Sequence, residues 1–345
     1  MFSTLQVKVK DVFIGGGAPV SVQGMASTKT TDIAATMQQV RAMAIAGADI
    51  VRISVPDLQS VAAFREIRQS SPVPLVADCH IDPGVAIRAA KVADKLRLNP
   101  GNMPRNALQE ILTIASDRGI PIRVGVNSGS TGPLSGDMDA DIKKVFDRAS
   151  RYVDAMTGYG FFDIVLAFKS TDPLFVIRAN RLASNIWDFP IHLGVTQAGA
   201  DDRALIFSIA ALSPLLMQGI GDTLRISLTR DPVIQVRVGV MALQAIGLRA
   251  RGPQLLSCPV CARARFDVQA LVARAQSLVD RGPEGWTVAI IGCEVNGPGE
   301  GAQADIAFYA TPADFRITRQ GKTIYRHPDF ENASQRFLDL LAENG

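Results

Sequence analysis

The chain has 345 residues, 47% of them hydrophobic, with 36 Lys and Arg against 33 Asp and Glu and a net charge of +3. This is a globular composition, neither disordered nor fibrous. Balanced charge without a Lys/Arg-rich block points away from nucleic acid and anionic membranes as partners, and four cysteines are too few for a disulfide scaffold.

The first 13 residues, MFSTLQVKVKDVF, alternate charge and hydrophobe and lack the basic start, apolar run and cleavage site of a signal peptide. Apolar stretches such as 204–216 are broken by Ser or Pro well short of the ~18 residues a spanning helix needs. A cytoplasmic protein is expected. Gly15, Gly16 and Gly17 read as a turn between strands, with backbone approach to a phosphate as the other reading.

From there strand and helix signals alternate. Strands are predicted at 20–25, 49–55, 74–80, 95–100, 120–127, 163–170, 190–196 and 223–229. A helical period follows each, as at 32–48 and 231–247, with Asp32, Asp172 and Asp231 placed as N-caps. Eight βα units in about 250 residues predict a (β/α)8 TIM-type barrel over 1–252, with an open doubly wound sheet as the alternative. Beyond Arg251-Gly252-Pro253 the pattern becomes α+β. It runs through a Cys-rich loop, a helix at 266–280, a strand at 287–291, a Gly/Pro loop and a strand at 305–310. A hairpin turning at Gln320-Gly321 and a helix at 332–343 complete a second domain, 253–345.

Parallel barrel strands are buried on both faces and should read as continuous hydrophobe. These do not. Arg52 and Ser54, Asp78 and His80, Arg97 and Asn99, Arg123 and Asn127, Lys169, and Arg225 and Ser227 lie within or at the C-terminal ends of predicted strands. Period-two spacing puts each set on one face, expected to be the lumen at the C-terminal mouth, where such barrels carry their active sites. Taken singly, each could instead be a strand-to-helix ion pair. As a set, four Arg and one Lys against one Asp leave an excess of four positive charges, and buried unpaired charge costs several kcal/mol. A small polyanion such as a diphosphate matches Arg forks and supplies the balance.

Cys258-Pro-Val-Cys261 is followed 32 residues later by Cys293, which opens the segment Glu294-Val-Asn-Gly-Pro-Gly-Glu300. A C-x2-C pair with a distant third Cys suits a metal or an iron-sulfur cluster, and the pair alone has zinc and redox readings. Three thiolates leave one position for a weaker ligand or a substrate, and Glu300 is the best-placed carboxylate. Cys79, of opposite parity to Asp78, reads as a small core hydrophobe.

The segments VSVQGMAST, AGADIVRISVP, VADCHID, LRLNPGN, IRVGVNSGS, HLGVTQAG, GIGDTLRISLT, CPVCAR and IIGCEVNGPGE together resemble the (E)-4-hydroxy-3-methylbut-2-enyl diphosphate synthases, the IspG or GcpE family of non-mevalonate isoprenoid biosynthesis. The resemblance runs in order from about residue 4 to residue 310. It implies a barrel joined to an iron-sulfur domain, with a 4Fe-4S cluster held by Cys258, Cys261, Cys293 and Glu300. It implies a homodimer in which one subunit's cluster domain caps its partner's barrel. The implied reaction is reductive ring opening of 2-C-methyl-D-erythritol 2,4-cyclodiphosphate with loss of water, electrons coming from flavodoxin or ferredoxin. Arg52, Asp78, Arg97, Arg123, Asn127, Lys169, Arg225 and Ser227 would hold the substrate, with His80 and Asn296 as further polar contacts.

One departure bears on mechanism. The family's V-T-E-A-G motif carries a glutamate that supplies a proton to the departing hydroxyl, and this chain has Gln197. An amide can hydrogen-bond that hydroxyl but has no acidic proton, so general acid catalysis of roughly 10²- to 10⁴-fold is at stake. CPVCAR for CPxCGR, KSTD for KASD and QGMAS for QSMT also depart. Two alternatives follow: a divergent paralogue reducing another phosphorylated or oxygenated substrate, or a non-catalytic iron-sulfur or diphosphate-binding protein.

Overall fold

A hairpin of two short antiparallel strands, β1 (Val7–Val9) and β2 (Val12–Ile14), opens the first of two units in the computed structural model, Met1–Leu248 and Arg249–Gly345. The structure describes residues 4–79, 82–99, 101, 103–132 and 135–343. After the hairpin come β3 (Ser21–Met25), α1 (Ile33–Ile45), β4 (Ile50–Ser54), α2 (Leu58–Ser70), β5 (Leu75–Asp78) and α3 (Pro83–Ala90). Then follow β6 (Lys95–Leu98), α4 (Arg105–Arg118), β7 (Ile122–Asn127), α5 (Met138–Thr157), β8 (Ile164–Lys169) and α6 (Pro173–Ile186). The last units are β9 (His192–Leu193) with α7 (Asp202–Leu216), and β10 (Thr223–Leu224) with α8 (Pro232–Ala245).

Strands β3 to β10 are all parallel, ordered β8-β7-β6-β5-β4-β3-β10-β9. The Leu166↔Ile191 bridge joins the two ends. The sheet is therefore a closed (β/α)8 barrel, and the open-sheet alternative falls. Asp32, Asp172 and Asp231 cap α1, α6 and α8 by accepting from the amides of Ala35, Leu174 and Val233, each contact contributing about 1 kcal/mol.

Two predicted strands are much shorter than expected. Spans 190–196 and 223–229 reduce to two residues each in β9 and β10, although single bonds persist beyond them, as from Arg225 N to Leu193 O at 3.0 Å. The regular ladder stops where Gly194 admits the Lys169 ammonium: a Cβ on Gly194 would lie 2.7 Å from Lys169 Nζ and 2.8 Å from the Arg225 carbonyl.

The three glycines at 15–17 all take positive φ, and a Cβ on Gly15 would sit 2.2 Å from the Leu5 carbonyl. Left-handed backbone packed against chain is a turn that needs glycine. The hairpin seals the barrel floor: Val7, Val9 and Ile14 pack on Ile50, Val76 and Val165 in one buried apolar cluster. Cys79 is buried in the main core, and burial pushes its thiol up to about 12.

In the second unit β11 (Gln254–Ser257), α9 (Val268–Val279), β12 (Thr287–Ile291), α10 (Gly297–Gln303), β13 (Ile306–Ala310), β14 (Phe315–Arg319), β15 (Lys322–His327) and α11 (Phe330–Ala342) form a five-stranded sheet with three helices. β11, β12 and β13 run parallel, and β14 and β15 return antiparallel. The hairpin turns at Gln320 and Gly321, both at positive φ, as a two-residue turn requires. One sheet face carries Val288, Ile290, Ile306, Phe308 and Ile317 against α9 and α11. The other carries Ala289, Ala307 and Tyr309 beside α10. β11 and α10 correct the sequence reading, which gave a loop at each place.

Candidate functional site

Every charged residue predicted for the barrel mouth and described here lies within a barrel strand or just past one: Arg52 in the middle of β4, Arg123 near the start of β7, Asp78, Arg97 and Lys169 at or next to the ends of β5, β6 and β8, and Arg225 just past β10. Arg52 Nε stands 3.2 Å from Asp78 Oδ2, close enough to pair but not aligned as a hydrogen bond. Arg97 Nη1 reaches Asp78 Oδ1 at 3.4 Å. Arg225 donates to Ser227 Oγ at 2.9 Å and to Gln235 Oε1 of α8 at 3.2 Å. Asp78, Arg97, Arg123 and Lys169 are buried, and Arg52, Arg225 and Ser227 half-buried. Asn127 ends β7 beside Lys169, its register partner on β8.

The electrostatics show that these charges share one space. Burial, then the guanidiniums of Arg52, Arg97 and Arg225, pull Arg123 well below its ordinary value, and only Asp78 opposes them. Lys169 is lowered by burial and then by Arg123, Arg225, Arg52 and Arg97. Arg97 and Arg225 both fall to about 10, burial being the main cause. Five cations around one carboxylate is a site that disfavours its own charge until an anion enters. Gly125 leaves room for one: its Cβ position is 3.9 Å from both the Arg97 and Arg123 guanidiniums.

Gln197 follows β9 with φ of +52°, one of three non-glycine residues at positive φ among the described residues. Strained backbone of this kind costs on the order of 1–3 kcal/mol and gathers at functional sites. His80 lies outside the described residues.

Sequence reasoning passed over the layer below. Ser21, Gln23, Lys95, His192 and Thr223 are buried, and their side-chain polar atoms have no hydrogen-bond partner among the described residues. Lys95 shares parity with Arg97, a signal that was available in the sequence.

The second unit brings part of the other predicted set, Cys258, Cys293, Asn296 and Glu300, to one sheet edge. Cys258 follows β11 and Cys293 lies just past β12, the adjacent parallel strand, so both stand at the C-terminal edge of the sheet. Cys258 Sγ accepts from the Gly292 amide at 3.1 Å. A cavity of about 480 Å³ is lined by Cys258, Asn296 and Glu300 together with Ala289 and Ile291. Helix α10 explains how Glu300 gets there. Gly297 lies against the Tyr309 ring and Gly301 against Ala307, with Cβ positions 2.5 and 3.1 Å away. These two glycines, four apart, turn one helix face onto β13, while Glu300 stays exposed.

Cys261 is exposed and Cys293 buried. Their loops are tied by Arg265, whose Nε and Nη2 fork onto the Glu294 carboxylate at 3.2 Å each, and by Arg265 N to Gly292 O at 3.0 Å. Sequence reasoning did not single out this pair. Among the described residues no three His, Cys, Asp or Glu side chains converge as ligands of a single ion would, and His327 is bonded to Asp329. Three thiols, a nearby carboxylate, an amide donating to sulfur and an adjoining cavity are a donor set that suits an iron-sulfur group.

A closed (β/α)8 barrel with a cationic mouth, followed by a small α+β unit with thiols at one sheet edge, defines a two-domain class of protein. The chain belongs to the GcpE family: the model of the GcpE TIM-barrel domain matches residues 4–240 and that of the GcpE protein C-terminal domain residues 254–343. It is 39% identical to the 4-hydroxy-3-methylbut-2-en-1-yl diphosphate synthase (flavodoxin) of Caldanaerobacter subterraneus subsp. tengcongensis, over 94% of this chain and 92% of that one. The protein of the same name from Thermotoga petrophila is 42% identical over 87% of this chain and 86% of its own. Among solved structures, Yersinia pestis dihydropteroate synthase superposes with a TM-score of 0.53 at 17% identity, over 71% of this chain and 98% of its own. That likeness concerns the barrel fold alone. No helix among the described residues is long and apolar enough to cross a membrane.

Proposed function

We propose that this chain catalyses the reductive dehydration and ring opening of 2-C-methyl-D-erythritol 2,4-cyclodiphosphate to (E)-4-hydroxy-3-methylbut-2-enyl diphosphate, in the cytoplasm, with flavodoxin as electron donor and ferredoxin as the alternative. The observation that carries this reading is the mouth itself, where Arg52, Arg97, Arg123, Lys169 and Arg225 meet a single carboxylate, Asp78. Relatives about 40% identical over most of the chain bear the name of this activity.

In this reading the four guanidiniums and Lys169 hold the diphosphate, and its charge relieves their mutual repulsion. Asp78 keeps Arg52 and Arg97 aligned, while Asn127, Ser227, Asn296 and His80 contribute polar contacts. Cys258, Cys261, Cys293 and Glu300 hold a 4Fe-4S cluster. When bound, that cluster supplies the two electrons one at a time. Gln197 orients the departing hydroxyl by hydrogen bonding but brings no proton of its own. The enzyme works as a homodimer.

The deciding experiment is complementation of a strain lacking the native synthase. Rescue by the wild-type gene supports the reading and removes a changed substrate. Failure of wild type with rescue by Gln197→Glu would mean that this chain has lost the family reaction at that one position. Failure of both favours the paralogue.

A further inference from the structure

Beneath the anion site the lumen holds polar groups to which no role has been given. Ser21 and Gln23 on β3, Lys95 on β6, His192 on β9 and Thr223 on β10 are each at most 3% exposed. None of their side-chain polar atoms meets a protein partner among the described residues. Native proteins satisfy buried polar atoms with protein or ordered water, so this layer calls for water as the missing partner. Below, the apolar plug of Val7, Val9 and Ile14 closes it. Above, it opens on the mouth: Lys95 sits two residues before Arg97 on the same strand face, one layer of roughly 6–7 Å lower.

We propose that Lys95 is a further residue of the anion site, acting from this lower layer through lumen water and taking up its proton when the polyanion arrives. The inference rests on reading the mouth as a diphosphate site. Every strand around this layer bears on its charge. Arg123 on β7 acts on Lys95; Lys169 on β8, Arg123, Lys95 and Arg52 on β4 act on His192 of β9; and Asp78 on β5, Arg97 on β6 and Arg225 past β10 act on Arg123 in turn, while β3 brings only neutral groups. With one carboxylate among so many cations, the charged forms of the buried bases are disfavoured in the empty barrel. Burial and the nearby Arg123 guanidinium bring Lys95 down to about 7. His192, lowered by burial and then by Lys169, Arg123, Lys95 and Arg52, stays neutral. Two negative charges at the mouth reverse the balance. Lys95 then binds a proton that the empty protein releases above pH 7.

The ligand makes the experiment clean. Each phosphorus of a cyclic diphosphate diester carries one strongly acidic hydroxyl, so the cyclodiphosphate neither gains nor loses a proton near neutrality. Its binding is measured at pH 8 by titration calorimetry in MOPS, HEPES and Tris, whose ionisation enthalpies differ. Wild type is expected to take up protons, and Lys95→Met to take up about one fewer per barrel. The variant should also lose the part of the pH dependence in which affinity falls about tenfold per pH unit above 7. Lys95→Gln, which keeps polarity, should behave as Lys95→Met does, and circular dichroism verifies that both are folded. Binding without proton uptake by wild type, or unchanged uptake in a folded variant, overturns the inference while leaving the diphosphate site standing. Absence of binding to wild type sinks the reading of the mouth, and this inference with it.

Discussion

Gly194 offers a direct test of how the mouth is built. A methyl at this position would stand 2.7 Å from Lys169 Nζ, 3.3 Å from its Cε and 2.8 Å from the Arg225 carbonyl. The carbonyl belongs to the neighbouring strand segment and gives little, so the ammonium must retreat. At an effective dielectric of about 20, an ammonium 4 Å from one phosphate charge contributes about 4 kcal/mol and at 7 Å about 2.4 kcal/mol. A 3 Å retreat therefore weakens ligand binding by roughly 1.6 kcal/mol, or 15-fold. Residual crowding against the carbonyl adds an overpacking cost of about 1–3 kcal/mol, read as a fall in Tm of several degrees. Gly125→Ala is the internal control. Its methyl would meet the Arg97 and Arg123 guanidiniums at 3.9 Å, an ordinary contact, so Tm should hold while affinity drops because the methyl occupies space meant for the anion. Calorimetric titration with the cyclodiphosphate and thermal unfolding measure both. If Gly194→Ala keeps wild-type affinity and Tm, Lys169 is not held at this strand crossing and the mouth has been misread.

Three further outcomes are expected. Cys258→Ala should abolish the brown colour and bound iron of anaerobically reconstituted protein together with activity, and full iron content in that variant would remove Cys258 from the ligand set. Gly297→Ala drives a methyl to 2.5 Å from the Tyr309 ring, so α10 should lift, carrying Glu300 away. Iron per chain should fall with a stability loss of about 1–3 kcal/mol, whereas unchanged iron and Tm would detach Glu300's placement from that contact. For the ligand-free protein, Lys95 is lowered from an ordinary 10.5 to about 7 in the folded state. The unfolded chain thus binds the extra proton between these values, and native stability rises with pH across that window and is lowest below 7. Lys95→Met should stabilise the empty protein at pH 7 and flatten this rise; urea unfolding at pH 7 and pH 9 checks it, and a parallel rise in both proteins would show that another group is responsible.

The barrel was legible because two periodicities repeat eight times over, seven of them with an Asp cap. Asp32, Asp172 and Asp231 announce helices from sequence alone because the cap is a contact to an amide only two or three residues on, as local as any structural signal can be. What failed was non-local. The lengths of β9 and β10 depend on an ammonium from β8 passing over Gly194, which no window of sequence contains. β11 was missed because its order comes from pairing with β12, 33 residues away in the chain. The GPGEG segment of α10 has the composition of a loop, and helix propensity disfavours it. It becomes a helix because Gly297 and Gly301 let it press onto Tyr309 and Ala307, tertiary contact overriding propensity.

The near-zero net charge misleads for a related reason. Asp residues cap seven of the eight barrel helices: Asp32, Asp57, Asp82, Asp137, Asp201 and Asp231 at α1, α2, α3, α5, α7 and α8, and Asp172 at α6. Their charge is taken up by amides at helix starts, outside the lumen. The cations of the inner face are therefore left to share Asp78, which pairs with Arg52 and Arg97, even though the chain as a whole has almost as many acids as bases. A composition average cannot report segregation of that kind, whereas strand parity can. Parity applied to whole strands, rather than to their C-terminal ends alone, reaches Lys95 as readily as Arg97. The layer beneath the mouth is harder to read, because a buried lysine without a partner makes physical sense only with an anion above it. Lys95 and the five cations are thus parts of one electrostatic system, and removing the ligand from consideration makes each of them look like an isolated cost.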